Sequence, residues 1–286
     1  MNASTDISVI IPVKNGEKTI KRCLDSIFAQ SVAPSMEVII IDSGSTDRTD
    51  EIVSQYPVRL YNIKPEEFSH SGTRNYGVSL AKGEFIVFTV QDAWMANNTT
   101  IERAIKHFED RNVVAVGGKQ AVPHEPDKNP LQWYRPQQKP SVKKIRFDPG
   151  QFGTLPFNEQ FKYIHLDNVL AIYWKEALEA LPFPNVEFGE DMFWAKEALD
   201  FGWTIVYDQT ILAWHYHHYD DTEKLKSRLK YQKQILDYFN INQKKDYKEP
   251  LKIIYRTLLK KNFVPRRKLY WLKYNLKLWW YQTFNK

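Results

Sequence analysis

Over its first 117 residues the chain alternates short β-branched apolar runs with segments of helical spacing, and that alternation sharply limits the folds open to it. Residues 7–13, 37–41, 58–63, 84–90 and 113–117 read as strands. Between them, residues 17–30 place Ile20, Leu24, Ile27 and Phe28 at helical spacing, and 47–55, 71–81 and 99–110 also read as helices. Continuous apolar strands joined by helices imply a mostly parallel sheet covered on both faces, hence an α/β fold. In such sheets ligands bind beyond the carboxyl ends of the strands. The polar residues at those ends are Asn15, Asp42, Ser43, Gln91 and Asp92.

The pattern then changes. Residues 119–161 carry Pro123, Pro126, Pro130, Pro136, Pro140, Pro149 and Pro156, which exclude long regular elements. Irregular stretches of that length are commonly functional. A strand and helix within 166–180, a helix at 189–201 and strands at 204–207 and 211–215 follow, then helices at 222–239, 251–261 and 266–284. This reading divides the chain into an α/β body, 1–220, with halves 1–118 and 119–220, and a helical extension, 221–286.

The single cysteine, Cys23, excludes a disulfide within the chain and argues against a cysteine zinc site. The first residues have no signal-peptide pattern, and no apolar run is long enough to span a bilayer, so a cytoplasmic protein is expected. From Leu251 to Lys286 there are ten Lys/Arg and no Asp/Glu, whereas the other 30 basic residues face 34 acidic ones. The basic character therefore belongs to the tail.

Five constellations carry chemistry. Pro12, Val13 and Asn15 close the first strand, and Asp42-Ser43-Gly44-Ser45 closes the second, where an acid can accept from a base or ribose. No Gly-x-Gly-x-x-Gly follows the first strand, which disfavours a nicotinamide enzyme, and no P-loop occurs. In 68–75, Arg74 follows Gly72 at a helix start and can pair with a pyrophosphate oxygen or an active-site carboxylate. Asp92, after Gln91, ends a central strand and suits a divalent ion. Glu190 and Asp191 open a helix, where a carboxylate is a candidate general base. His215, His217 and His218 follow late in the chain, and His215 and His217 would share one face of a strand.

Taken in order, these motifs resemble family 2 glycosyltransferases of the GT-A fold, over roughly residues 8–219. The sequence His70-Ser71-Gly72-Thr73-Arg74-Asn75 with Gln91-Asp92-Ala93 is similar to the rhamnosyltransferase branch, where Gln-Asp-Ala replaces the usual Asp-x-Asp. The resemblance implies a nucleotide-sugar pocket lined by Pro12, Val13, Asn15, Asp42, Ser43, Ser45, Gln91 and Asp92, with Asp42 on the pyrimidine and Arg74 near the diphosphate. It implies Mg²⁺ or Mn²⁺ on Asp92 with His215 or His217, Asp191 as catalytic base beside Glu190, and inversion at the sugar. Trp133 and Asn168 are the acceptor-side candidates. The donor implied is dTDP-rhamnose and the acceptor a surface polysaccharide or lipid-linked glycan.

The tail places Leu269, Leu272, Leu276 and Trp279 at three- and four-residue spacing, with Trp271, Tyr274, Leu278 and Tyr281 widening the face and Lys273 and Lys277 beside it. Such a helix suits peripheral contact through 266–284 with the inner face of the cell membrane, or packing on the body or on a second copy in a homodimer. The alternatives are a UDP- or GDP-sugar donor on the same fold and a non-catalytic nucleotide-sugar or glycan-binding module. The acidic body disfavours nucleic acid as a partner.

Overall fold

The computed structural model describes residues 6–32, 35–217, 222–242, 246–259 and 264–284. His218 and Tyr219, which complete the histidine stretch, lie outside them, as do residues 260–261 at the end of one expected helix. In chain order the elements begin β1 (Ile7–Val13), α1 (Ile20–Phe28), β2 (Met36–Asp42), α2 (Thr49–Val53), β3 (Arg59–Asn62), α3 (His70–Leu80), β4 (Phe85–Phe88), β5 (Ala93–Met95), α4 (Thr100–Ile105) and β6 (Val113–Ala121). They continue with β7 (Val142–Ile145), α5 (Phe157–Gln160), β8 (Ala171–Trp174), α6 (Lys175–Ala180), α7 (Glu190–Asp200), β9 (Thr204–His215), α8 (Thr222–Tyr238), α9 (Glu249–Leu259) and α10 (Lys268–Phe284).

The strands form one mixed sheet in the order β3-β2-β1-β4-β8-β6-β9-β5, with β7 also paired to β9. The first four are parallel. Strand β8 runs antiparallel to both β4 and β6, and β5 and β7 run antiparallel to β9. The core sits on the two faces of this sheet: Val9, Ile10, Ile11, Ile39, Ile40, Ile41 and Phe88 are fully buried. Helix α1 covers it with Ile20, Cys23, Leu24 and Ile27, one face of a 3.6-residue helix. Cys23 is thus a core residue.

Several elements differ from the pattern read above, among them the short strand β7 and helix α5 within the Pro-rich stretch 119–161. The runs at 204–207 and 211–215 are one strand, β9, because Asp208 and Thr210 between them satisfy each other. Asp208 accepts from the Thr210 main-chain N–H (2.7 Å) and hydroxyl (2.6 Å) and pairs with His107 Nε2 at 2.8 Å. Strand β6 runs on past Gly117, with a register shift between Gly117 and Lys119. A Cβ on Gly118 would lie 2.5 Å from Leu170 Cδ2, so only glycine lets the strand pass there. Strand β5 has three residues, none β-branched, and leaves no periodic signal.

The chain separates into two compact units, Met1–Ala121 with Pro136–His215, and Val122–Arg135 with Tyr216–Lys286. The first holds the sheet. In the second, α9 packs on α10, and the side chains of Asn129 and Asn275 exchange hydrogen bonds at 2.7 and 3.2 Å. That partner lets polar Asn275 take the inward face of α10 beside Trp271, while Leu269 is exposed and Leu272, Leu276 and Trp279 are half-buried. Among the described residues no helix is long and apolar enough to cross a membrane.

Candidate active site

Two loops meet at the carboxyl ends of β1 and β2. Asn15 adopts a φ of 50°, a left-handed conformation that asparagine tolerates better than most residues. Its N–H donates to Ser45 Oγ and its Oδ1 accepts from the Thr46 N–H, both at 2.8 Å. The Gly16 N–H donates to Thr49 Oγ1 at 2.8 Å. Ser43 folds back on β1, donating its N–H (3.0 Å) and hydroxyl (3.2 Å) to the Val13 carbonyl. Val13 lies opposite Asp42 in the parallel ladder, and Pro12, half-buried, opposite Ile41.

Asp42 is buried, and its Oδ1 accepts from the Ser45 N–H at 2.7 Å. Its Oδ2 is buried and accepts from no N–H or hydroxyl of the described residues, and the Asp50 carboxyl beside Asp42 is pushed up by burial and by the Asp42 charge. A buried carboxylate oxygen without a donor is costly, and an imide N–H of a pyrimidine is a donor of suitable chemistry. Gln91 clasps the other side of the first loop: Lys14 N–H donates to Gln91 Oε1 at 2.7 Å, and Gln91 Nε2 donates to the Lys14 carbonyl at 3.0 Å.

The β5–β9 register sets Ala93 opposite His215, so Asp92 stands beside that histidine. His215 Nε2 lies 3.4 Å from Asp92 Oδ1, and Nδ1 lies 2.6 Å from Gln120 Oε1. A proton on Nδ1, shared with Gln120, leaves the Nε2 lone pair directed toward Asp92, the arrangement typical of a metal-ligating histidine. Gln120 in turn hydrogen-bonds Asp167. His217, two residues past His215, can bring a ligand atom to the same place: one atom each from Asp92, His215 and His217 lie within 4.8 Å of one another. One carboxylate with imidazole nitrogens fits a divalent transition ion such as Mn²⁺ better than Mg²⁺, which prefers an all-oxygen shell.

Gly189, with a φ of 80°, turns the chain into α7 and sets Glu190 and Asp191 in its first turn. The two carboxylates have different environments. Glu190 is buried and pairs with Arg74 at 2.8 Å. The Asn168 Nδ2 donates to Glu190 Oε1 at 3.2 Å, and the Tyr173 hydroxyl donates to Asn168 Oδ1 at 2.9 Å. Asp191, half-buried, accepts from the Asn168 main-chain N–H at 3.0 Å. Burial, then the charges of Glu190 and Asp167, raise its pKa to about 8. That suits a base working near neutrality.

Arg74 therefore meets the carboxylate rather than the solvent side of the cleft; it is 6% exposed and also donates to the His70 carbonyl at 3.1 Å. Asn168, read above as an acceptor-side residue, is buried with its side chain held between Glu190 and Tyr173. Trp133 belongs to the second unit, where its ring stacks on His124 with centroids 5.0 Å apart.

The model of the family described as Glycosyl transferase family 2 matches residues 8–181. The chain belongs to that family. It is 31% identical over 224 residues to the O-antigen chain rhamnosyltransferase RfbN of Salmonella typhimurium, covering 77% of this chain and 69% of that protein. It is 32% identical over 228 residues to the O-antigen chain rhamnosyltransferase WbaN of Salmonella anatum, with the same coverage. Among solved structures, the mannosyltransferase PcManGT from Pyrobaculum calidifontis, in complex with GDP-Man and Mn²⁺, matches 96% of this chain and covers 74% of its own, with a TM-score of 0.60 at 20% identity. The fold is GT-A, and the protein is a glycosyltransferase.

Three residues of this glycosyltransferase site are absent from the sequence reading: Gln120, Asp167 and Tyr173. Gln120 lies beyond the point where the apolar run of β6 ends, and Tyr173 sits within the apolar run of β8. Period two gives no signal for Gln120: counting on from Ala115 and Gly117 along β6 reaches Lys119 and Ala121 and passes over Gln120, which is marked only once β9 is placed beside β6.

Proposed function

We propose that the enzyme transfers rhamnose from dTDP-rhamnose to a lipid-linked or surface-polysaccharide glycan, with inversion. The observation that carries the catalytic part is the unequal treatment of two adjacent carboxylates. Glu190 is paired with Arg74, while Asp191 is left with a raised pKa and only main-chain donors, the Asn168 and Met192 N–H groups. Asp191 then removes the proton from an acceptor hydroxyl as its oxygen attacks the anomeric carbon from the face opposite the nucleotide. The bond to the diphosphate oxygen breaks as the new glycosidic bond forms, which inverts the centre.

Asp42, Asn15 and Ser45 hold the nucleoside, with Asp42 Oδ2 accepting from the pyrimidine. Asp92 with His215 and His217 would hold Mn²⁺ or Mg²⁺, which supplies positive charge for the leaving diphosphate. The rhamnose and dTDP assignments are supported by the two rhamnosyltransferase relatives, at 31 and 32% identity. An acceptor carried on lipid fits a peripheral position at the inner face of the membrane, with contact through 266–284.

The test is release of nucleoside diphosphate from dTDP-rhamnose, with Asp191→Asn alongside and a lipid-linked glycan extract as acceptor. Turnover with dTDP-rhamnose that disappears in Asp191→Asn supports the reading. Turnover with a UDP- or GDP-sugar alone overturns the rhamnose assignment and keeps the mechanism. Donor binding with no turnover of any sugar overturns the enzyme reading in favour of a binding module.

A further inference from the structure

Helix α9 is amphipathic with its apolar side outward. Ile253 and Thr257 face inward and are buried. Leu251, Ile254, Tyr255, Leu258 and Leu259, at i, i+3, i+4, i+7 and i+8, are between 37 and 69% exposed. Amphipathic helices in globular units ordinarily bury such a stripe. Helix α10, packed on α9, exposes Leu269, Tyr270, Trp280 and Phe284 as well. Large contiguous apolar exposure of this kind marks an interaction surface.

We propose that α9 and α10 together form a docking surface for an anionic lipid bilayer. The inference rests on the membrane-linked reading above and moves the centre of the contact from α10 to the outward stripe of α9. Charge selects the occupant. The segment from Leu251 onward contains ten Lys/Arg and no Asp/Glu, and Arg266, Arg267, Lys268 and Lys273 join or flank the two helices. A second copy of the chain would bring the same ten cations against these ten. An anionic headgroup layer neutralises them while its acyl boundary takes up the leucines and aromatic rings.

The experiment is flotation of the full chain with vesicles of phosphatidylglycerol and phosphatidylethanolamine, against vesicles of phosphatidylcholine, without donor or acceptor. Flotation with the anionic vesicles is expected to be at least tenfold greater and to fall at high salt. Tyr255→Glu with Leu258→Glu, and separately Leu269→Glu with Trp280→Glu, reduce it at least tenfold. Val142→Glu, at an exposed valine of the first unit, leaves it unchanged. Donor turnover in solution, measured on the same variants, reports that each has folded and tests the catalytic reading separately. Flotation that survives both double substitutions, or that is equal on phosphatidylcholine, overturns the proposal. So does a concentration-dependent dimer abolished by the α9 substitutions, which would assign the face to a second copy.

Discussion

Asn168 serves two neighbouring acids with different parts of itself: its main-chain N–H donates to Asp191 Oδ2 at 3.0 Å, and its side-chain amide donates to Glu190 Oε1 at 3.2 Å. One residue thereby fixes the spacing between a buried ion pair and the proposed base. The main-chain bond survives any substitution that leaves the backbone in place, so the two functions of Asn168 are separable by mutation.

Asp191→Asn removes the base while keeping its size. The expected loss in kcat is about 100- to 10,000-fold, the usual range for a general base, with donor affinity retained. Single-turnover kinetics beside calorimetric donor binding makes the comparison.

The pH profile follows from the raised pKa of Asp191. Activity requires the carboxylate, so kcat rises with pH through about 8. Glu190→Gln removes one of the charges that raise this pKa and is expected to move the limb to lower pH. Arg74→Met removes a charge that lowers it and moves the limb the other way. For stability the sign is the reverse of the usual carboxylate case. The fold favours the protonated acid, so the contribution of this group is full below its unfolded pKa, about 4, and is lost as pH rises to about 8. Equilibrium unfolding of wild type and Asp191→Asn across that window checks it.

Breaking the buried pair from either side strands a charge. Glu190→Gln or Arg74→Met should each cost about 3–5 kcal/mol of stability, whereas the double change costs less than the sum. A double-mutant cycle from denaturant midpoints tests the coupling.

Gln120→Leu leaves every candidate metal ligand in place but removes the partner of His215 Nδ1. A loss of Mn²⁺ affinity of about 10- to 100-fold is expected, as for other changes to groups that orient a metal-binding histidine. Asp92→Asn should lose at least as much. Titration calorimetry with Mn²⁺ and with Mg²⁺ reads both, with Mn²⁺ bound more tightly by the wild type.

Gly44 has a φ of 87°, and a Cβ there would stand 2.8 Å from Pro65 Cγ. Gly44→Ala should destabilise the chain by about 1–3 kcal/mol and raise the donor KM, because the same turn presents the Ser45 N–H to Asp42. Thermal unfolding and donor kinetics measure the two effects together.

Much of the donor half was legible from local pattern. Buried parallel strands announce themselves as unbroken apolar runs; Asp42 ends β2, and Asp92 follows the end of β4 by four residues, directly before β5. The rest depends on pairings between distant segments. Nothing near Asp92 predicts that three residues, Ala93–Met95, lie antiparallel to the end of β9 and bring His215 to it. Gln120 becomes a site residue only once those strands are neighbours. Arg74 was recognisable as a charged group near the cleft, but the choice between a phosphate and Glu190 is made by packing, which spacing does not encode.

The clasp between Gln91 and the Lys14 main chain joins two loops to which the proposed function gives different ligands. One continues into Asn15 and the proposed nucleoside pocket; the other continues into Asp92 and the candidate metal corner. A ligand that orders one loop thus lowers the entropy cost of ordering the other, and reciprocity requires the effect to run equally in both directions. On the proposed assignments, nucleotide and metal affinities become linked quantities, with Gln91 as the residue that joins them.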